Sequence, residues 1–544
     1  MTKRLILALL LSCSPVWATT YYVDNSCANN GNGLATSCAA SSGGAGPFNS
    51  IANAQSRVTG SQAGNSVLLK AGETFREMYT VPAYGTSGDP FTIGAYGTGA
   101  NATISGSDVG SNWTLVTGSV FRSSVSWTPV DLFQDGGHLT FVTFNANCST
   151  TASAMSAGTW SYGGGELCVW ATDGANPSTH IVEIPHRTQC IAGNSEPYVT
   201  YENLTLVYSA NNGIDTFGSY DIVRNSLAYS NYNYGFRING TGVTFDSLTA
   251  YDCNVGIGGY SGTDDVVEHC TSHDNTHITN SDGFNFSTVS GLLLQYNLSY
   301  NNNNGPSSDG YQIAVGEHST VRYNTAYNNQ NCNIILSTGS ASYGSIYGNV
   351  LYGSTTRGIC VDADSGPTYV YNNTIVNTSA STQYALRLGE VSNGGTLTAM
   401  NNVVYSAKYP LSLASGTQSA FTADYNIYYQ SSGGNAVQYN GRGYTCTEFS
   451  IYQSTSGQDA HSSCVNPQLA NLGASRFWLA SGSPGIDAGL NLGSPYNIGL
   501  MPGSTWPNSV VTGDQNAYGS GWEIGAFIYV PAVPPPTNLQ AVAH

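Results

Sequence analysis

The chain has 544 residues, of which 64 are Gly and 37 are Tyr, only 9% are charged, and the formal net charge is −17. So acidic a surface repels nucleic acid and anionic lipid and excludes binding that depends on a basic face. Glu, Lys, Leu and Ala do not dominate, which argues against long helices. Abundant Gly, Asn, Ser, Thr and Tyr suit many short strands joined by polar turns.

Residues 1–18 read as an export signal. Lys3 and Arg4 precede the apolar run Leu5–Leu11, and Val16-Trp17-Ala18 fits a small-residue cleavage site. Leu10-Leu11-Ser12-Cys13 also loosely resembles a bacterial lipobox, but cleavage after Ala18 is favoured. Export places the protein outside the cytoplasm: secreted, periplasmic or on the cell surface. Loss of Lys3 and Arg4 takes the net charge from −17 to −19. No later apolar run reaches the roughly 18 residues a membrane span needs, so no membrane insertion is expected.

An exported chain can form disulfides. Sequence-near pairs are Cys27 with Cys38, Cys148 with Cys168 and Cys446 with Cys464. The other five mature cysteines cannot all pair internally, and no CxxC spacing suggests zinc.

Residues 19–106 form an N-terminal unit, and residues 107–192 then break the later rhythm. "DLFQDGGHLTFV" and "GTWSYGGGELCVWATD" read as antiparallel hairpins, which makes this segment a β-rich insertion. From about residue 200, within a unit spanning 193–530, the chain repeats itself in steps of 22 to 29 residues. One column holds Asn203, Ser226, Leu248, Cys270, Asn297, Asn324, Asn349, Asn373, Asn402 and Asn426. Three positions on lies Tyr229, Tyr251, His273, Tyr300, Tyr327, Tyr352 and Tyr405. A second strand follows in most repeats ("GFRIN", "GIGGY", "GFNFS", "GYQIA"), alternating apolar and polar residues. Short strands repeating at this period predict a solenoid with an Asn ladder and a Tyr stack. The Pro-rich tail 531–544 reads as a linker.

These repeats resemble the pectate-lyase-like right-handed parallel β-helix proteins. "PFNSIANAQSRV" (47–58) looks like their N-terminal cap and "NSVLLKAGETFRE" (65–77) like the first coil. "SPGIDAG" (483–489) and "WEIGAFIYV" (522–530) look like the closing segment of bacterial members. The resemblance implies an all-β solenoid acting on a polysaccharide, and a monomer is expected.

Candidate chemistry centres on a repeated "SDG". Asp282 and Asp309 precede corresponding glycines, so parallel stacking should set them one above the other on neighbouring coils, beside two lengthened turns. Two such carboxyl groups repel, so one keeps its proton or both share a cation. Arg237, His277 and His318 are further catalytic candidates. Tyr234, Tyr260, Asn285, Gln312 and Arg357 are candidates for binding substrate. The motif "NSDG" (280–283) resembles the Asn-Thr-Asp-Gly of polygalacturonases, which would make Asp282 an acid or base. That family's Asp-Asp, Gly-His-Gly and Arg-Ile-Lys are missing. The "DGF" and "DGY" coils also look like calcium-dependent pectate lyases, which would make Asp282 and Asp309 metal ligands. The lyase base would be expected where Ile335 stands, and the mature chain has only Lys70 and Lys408. Hydrolysis is therefore favoured over β-elimination, with a non-catalytic glycan-binding or adhesive protein as the rival from another class.

Overall fold

A computed structural model describes residues 18–531, apart from 145–146, 277–278, 338–342, 363–365, 380–382, 390–394 and 414–419. Most of the export signal, nearly all of the Pro-rich tail and the candidate His277 lie outside the described residues. Three long sheets of 13, 12 and 13 strands run the length of the molecule, parallel throughout except where Arg442–Thr445 closes the third sheet antiparallel to Asn435–Tyr439. Each coil visits the first, second and third sheet in turn. One coil is Ile222–Arg224, Leu227–Tyr229 and Tyr234–Ile238; the next is Thr244–Asp246, Thr249–Tyr251 and Val255–Tyr260. Strand alternation sends Val223, Ala228 and Phe236 inward, and repetition of that pattern builds one continuous apolar column. No described helix is long and apolar enough to cross a membrane.

Corners between the first and second sheets are held by the expected ladder. The backbone N–H of Cys270 donates to Asn297 Oδ1 (2.9 Å), Asn297 to Asn324 (2.9 Å), and the chain of bonds continues to Asn426. Each amide satisfies a buried N–H that the turn leaves without a sheet partner. Asn203 is the exception to the sequence alignment. Thr205 pairs with Leu227, so Leu204 occupies the column and Asn203 sits one place earlier, at a left-handed corner (φ 58°). The aromatic column stacks as expected, with ring centroids 5.0 Å apart for Tyr229–Tyr251 and 4.7 Å for His273–Tyr300.

A second ladder, not anticipated from sequence, holds the corners between the second and third sheets. Cys253, Asn275 and Asn302 donate their N–H groups to Asn275, Asn302 and Asn329 at 3.1–3.2 Å. The two lengthened turns follow Asn275 and Asn302, where the ladder bonds hold the coils in register.

The helix Ile51–Arg57 caps the N-terminal end. Ser50 caps its first turn, Glu77 accepts the N–H groups of Ile51 and Ala52, and Ile51 and Ala54 are buried. At the other end the helix Phe449–Ser456 packs Tyr452 against Tyr439 and Tyr444. The later segment returns along the outside of the coils, packing Phe477, Leu500 and Phe527 with Tyr323 and Tyr347.

Between early coils, strands from Ser107–Val109 to Val182–Pro185 form a five-stranded and a four-stranded sheet around Trp113, Leu132, Trp160 and Leu167. Gln189–Ala192, counted with the insertion from sequence, lies in the third sheet. All three sequence-near disulfides are formed, and Cys332–Cys360 adds a fourth; Cys190, Cys253 and Cys270 remain buried thiols.

Candidate functional site

The outer face of the third sheet carries the column expected from sequence: Asp215, Arg237, Gly258, Asn285, Gln312, Ile335, Cys360 and Arg387 stand in register. The "SDG" motif has a local cause. A Cβ on Gly283 would fall 2.2 Å from Ser299 Oγ and 2.7 Å from Asn302 Nδ2, inside the second ladder. Glycine lets the strand pass this close to the ladder, and the preceding Asp282 lies beside Asn285.

Asp282 and Asp309 occupy successive coils and are only 4% and 2% exposed. Asp282 Oδ1 accepts the N–H of Asp309 (2.8 Å), and Asp309 Oδ1 accepts the N–H of Cys332 (2.8 Å). Asp282 Oδ2 accepts from Asn285 Nδ2 (2.7 Å), which also donates to Gln312 Oε1 (2.9 Å). Burial pushes both carboxyls well above the usual carboxylate range, and for Asp309 the charge of Asp282 adds to it. Near neutral pH the pair therefore keeps at least one proton. Asp221 and Asp265 also accept backbone N–H groups and are raised by burial, but they are two coils apart, with Val243 between them in the column.

The carboxyl oxygens do not fit calcium. Calcium takes six to eight oxygen donors, whereas here the best-placed oxygens already accept N–H groups, whose positive ends would face the ion.

The other candidates are spread along the strip. Arg237 turns one coil back, with Nη1 3.4 Å from Asp215 Oδ1 and its guanidinium 5.4 Å from the Tyr234 ring centroid. Tyr234 lies over Gly258, where a Cβ would come within 2.7 Å of its ring. Arg357 stands two coils above Asp309, donates to Asn331 Oδ1 (3.1 Å), and its charge partly offsets the rise at Asp309. Tyr260 is 53% exposed at the end of its strand. His318 lies beyond Glu317 at the opposite edge of the sheet, bonded to Tyr343 (3.0 Å). A strand of this length puts it roughly 25 Å from Asp309. Thus Asp282, Asp309, Asn285 and Gln312 are brought together, with Arg357 near; Tyr260 and His318 lie apart from that cluster.

Sequence reasoning missed a neighbouring cleft. A space of about 720 Å³ opens between the insertion and the corner turns, lined by Val130, Asp131, His138, Phe141, Tyr232 and Asp252 among others. His138 bridges Asp131 (3.1 Å) on the insertion side and Asp252 (2.9 Å) on the coils. Burial alone would lower the imidazole, but the two carboxylates outweigh it and push it up to about 9. The cleft meets the strip: Tyr232, Asp252 and Thr279 line it, and Tyr234, Val255 and Asp282 follow two or three residues later. "GGHL" carried no repeat or motif that could have pointed to His138.

The family description "right handed beta helix region" matches residues 190–343. No curated protein matched the chain in a sequence search. Among solved structures, XylC in complex with xylose is similar at a TM-score of 0.55 and 14% identity, covering 71% of this chain and 76% of that one. Pectate lyase Pel9A gives a TM-score of 0.41 at 14% identity, covering 94% and 96%. The GH136 lacto-N-biosidase from Eubacterium ramulus gives 0.39 at 12% identity, covering 77% and 68%. At these identities the likeness is one of fold, and that to XylC agrees with the parallel coils, ladders and three sheets described above: the protein is a right-handed parallel β-helix.

Proposed function

We propose that the protein acts on a polysaccharide laid along the outer face of the third sheet and hydrolyses it with Asp282 and Asp309. The observation that supports this reading is the stacked pair of buried carboxyls, held above the usual carboxylate range on successive coils. In the proposed reaction the protonated member donates to the glycosidic oxygen. The ionised member acts as nucleophile or as base toward water. Adjacent strands lie about 4.8 Å apart, closer to the ~5–5.5 Å carboxyl spacing of retaining glycosidases than to that of inverting ones. Asn285 and Gln312 orient the pair and offer amide groups to sugar hydroxyls. Hydrolysis is favoured over elimination because the cations of the face are engaged: Arg237 with Asp215, Arg357 with Asn331, and Arg387 with Asp362.

The test replaces the carboxyls one at a time, Asp282→Asn and Asp309→Asn. Asparagine keeps an oxygen for the backbone N–H but cannot titrate. Cleavage of a glycan panel should fall by at least about a thousandfold while binding is retained. Wild-type cleavage should release reducing ends without unsaturated products absorbing in the ultraviolet, and a chelator should not change the rate. Asn variants that cleave like the wild type would reduce the pair to structural rungs. A wild type that binds glycans but cleaves none would favour the adhesive reading.

A further inference from the structure

We infer that the cleft between the insertion and the corner turns is a binding site for neutral sugar rings, distinct from the carboxyl pair and feeding the strip that carries it. The inference rests on the reading that the protein acts on glycans, and it adds where the sugar is held and of what charge class. A cleft of about 720 Å³ falls within the range of small-ligand sites. Its chemistry matches a pyranose, which has apolar C–H faces and a rim of hydroxyls. Phe141 is 40% exposed, with its ring centroid 4.7 Å from that of Trp160, and offers an apolar face to stack on. Asp252 offers carboxylate oxygens at the wall. Its orientation is fixed by Ser230 (2.6 Å) and by His138 (2.9 Å to each oxygen).

Charge decides between neutral and acidic sugars. An imidazole placed between two carboxylates, 3.1 Å from Asp131 and 2.9 Å from Asp252, is held as the cation. The three groups then sum to one negative charge, in a chain whose net charge is −17. A uronate in the cleft would meet repulsion from both aspartates, and the one cation is already bonded to them. Neutral sugars face no such cost, and their hydroxyls donate to Asp252.

Calorimetric titration of the full-length protein tests this with neutral hexasaccharides from xylan, cellulose, mannan and galactan, and with hexagalacturonate. At least one neutral probe should bind, and hexagalacturonate should bind more weakly than that probe. Phe141→Ala should raise Kd by about tenfold or more, and Phe141→Trp should restore it. Asp252→Asn should also weaken binding. Melting curves confirm that each variant is folded. The inference is overturned if no probe binds, if hexagalacturonate binds tightest, or if Phe141→Ala binds like the wild type. That last result, with cleavage intact, would leave the carboxyl-pair reading standing. Phe141-dependent binding in a protein that cleaves nothing would sink the catalytic reading and keep the cleft.

Discussion

Asp282 and Asp309 do a job that asparagine does elsewhere in this molecule: each accepts one buried backbone N–H from the next coil. Where the task is only to satisfy that N–H, as from Asn297 to Asn426, an uncharged amide suffices. Two successive buried carboxyls therefore carry a stability cost that the ladder itself does not require. Its sign against pH follows from both groups titrating above the usual range. In the unfolded chain they ionise near pH 4, whereas in the folded protein they hold protons to higher pH. Folding thus binds protons between those limits, so the pair's contribution becomes less favourable as pH rises from about 4 toward neutrality. Asp309→Asn should accordingly raise the melting temperature at pH 8, and the gain should shrink toward pH 4. Equal effects at both pH values would mean that the carboxyl of Asp309 is not held protonated. A variant that gains stability and loses cleavage would carry the mark of a site kept at the expense of stability.

At the scale of strands and corners, much was legible because a solenoid makes neighbours in space out of residues one coil apart in sequence. The Tyr column, the Asn ladder and the outward column of the third sheet all follow from a period of 22 to 29 residues. Asn203 slipped by one because "YENLTL" offers an Asn just before the ladder position and Leu204 fills that position instead. The second ladder escaped notice because its residues lie in turns of changing length: Asn275 is 8 residues from Gly283, but Asn231 is 4 from Gly235. The pairing of Cys332 with Cys360 was hidden for another reason. The two stand in different columns, Cys332 opposite Arg357 and Cys360 opposite Ile335, so the bridge runs diagonally between coils. Its Cα atoms are 6.2 Å apart and it closes a sequence separation of 28. Chain entropy alone assigns about 3–4 kcal/mol to a loop of that size. The double variant Cys332→Ala, Cys360→Ala should lose about 2–4 kcal/mol in denaturant unfolding, and reductant, which opens the other three bridges as well, should lower the wild-type midpoint at least as far. An unchanged midpoint would show that stacking of the coils already holds these strands.

On the scale of the whole molecule, the question is how an insertion with its own core is held to a solenoid. The candidate cleft exists only while that docking persists, and no periodicity reports it, since His138 and Asp252 are 114 residues apart. Charged contacts at the junction include Arg187 with Asp108, 2.9 Å apart. Arg76 on the solenoid side grips Glu183 with two bonds of 2.6 and 2.7 Å, and His138 bridges Asp131 and Asp252. Of these contacts, His138 is the one whose charge a rise in pH removes. Its imidazole is raised from 6.5 to about 9, against the opposing effect of burial, by the carboxylates on either side. A cation raised in this way contributes fully below about pH 6.5 and loses its contribution as pH climbs through about 9. The effect is on the order of 2 kcal/mol once partial solvent contact is allowed for. Hydrogen exchange in the strands of the insertion should therefore quicken between pH 7 and pH 10 by more than the intrinsic rise. His138→Gln should show that faster exchange already at pH 7 and no further excess at pH 10. Solenoid strands beyond the junction, and away from the buried carboxyls Asp221, Asp265, Asp282 and Asp309, should keep their protection in both proteins. If insertion and solenoid instead loosen together, the two form one cooperative unit and the histidine is a minor contact within it. If neither changes, the grip of Arg76 on Glu183 and the apolar packing of the insertion hold the cleft open without it.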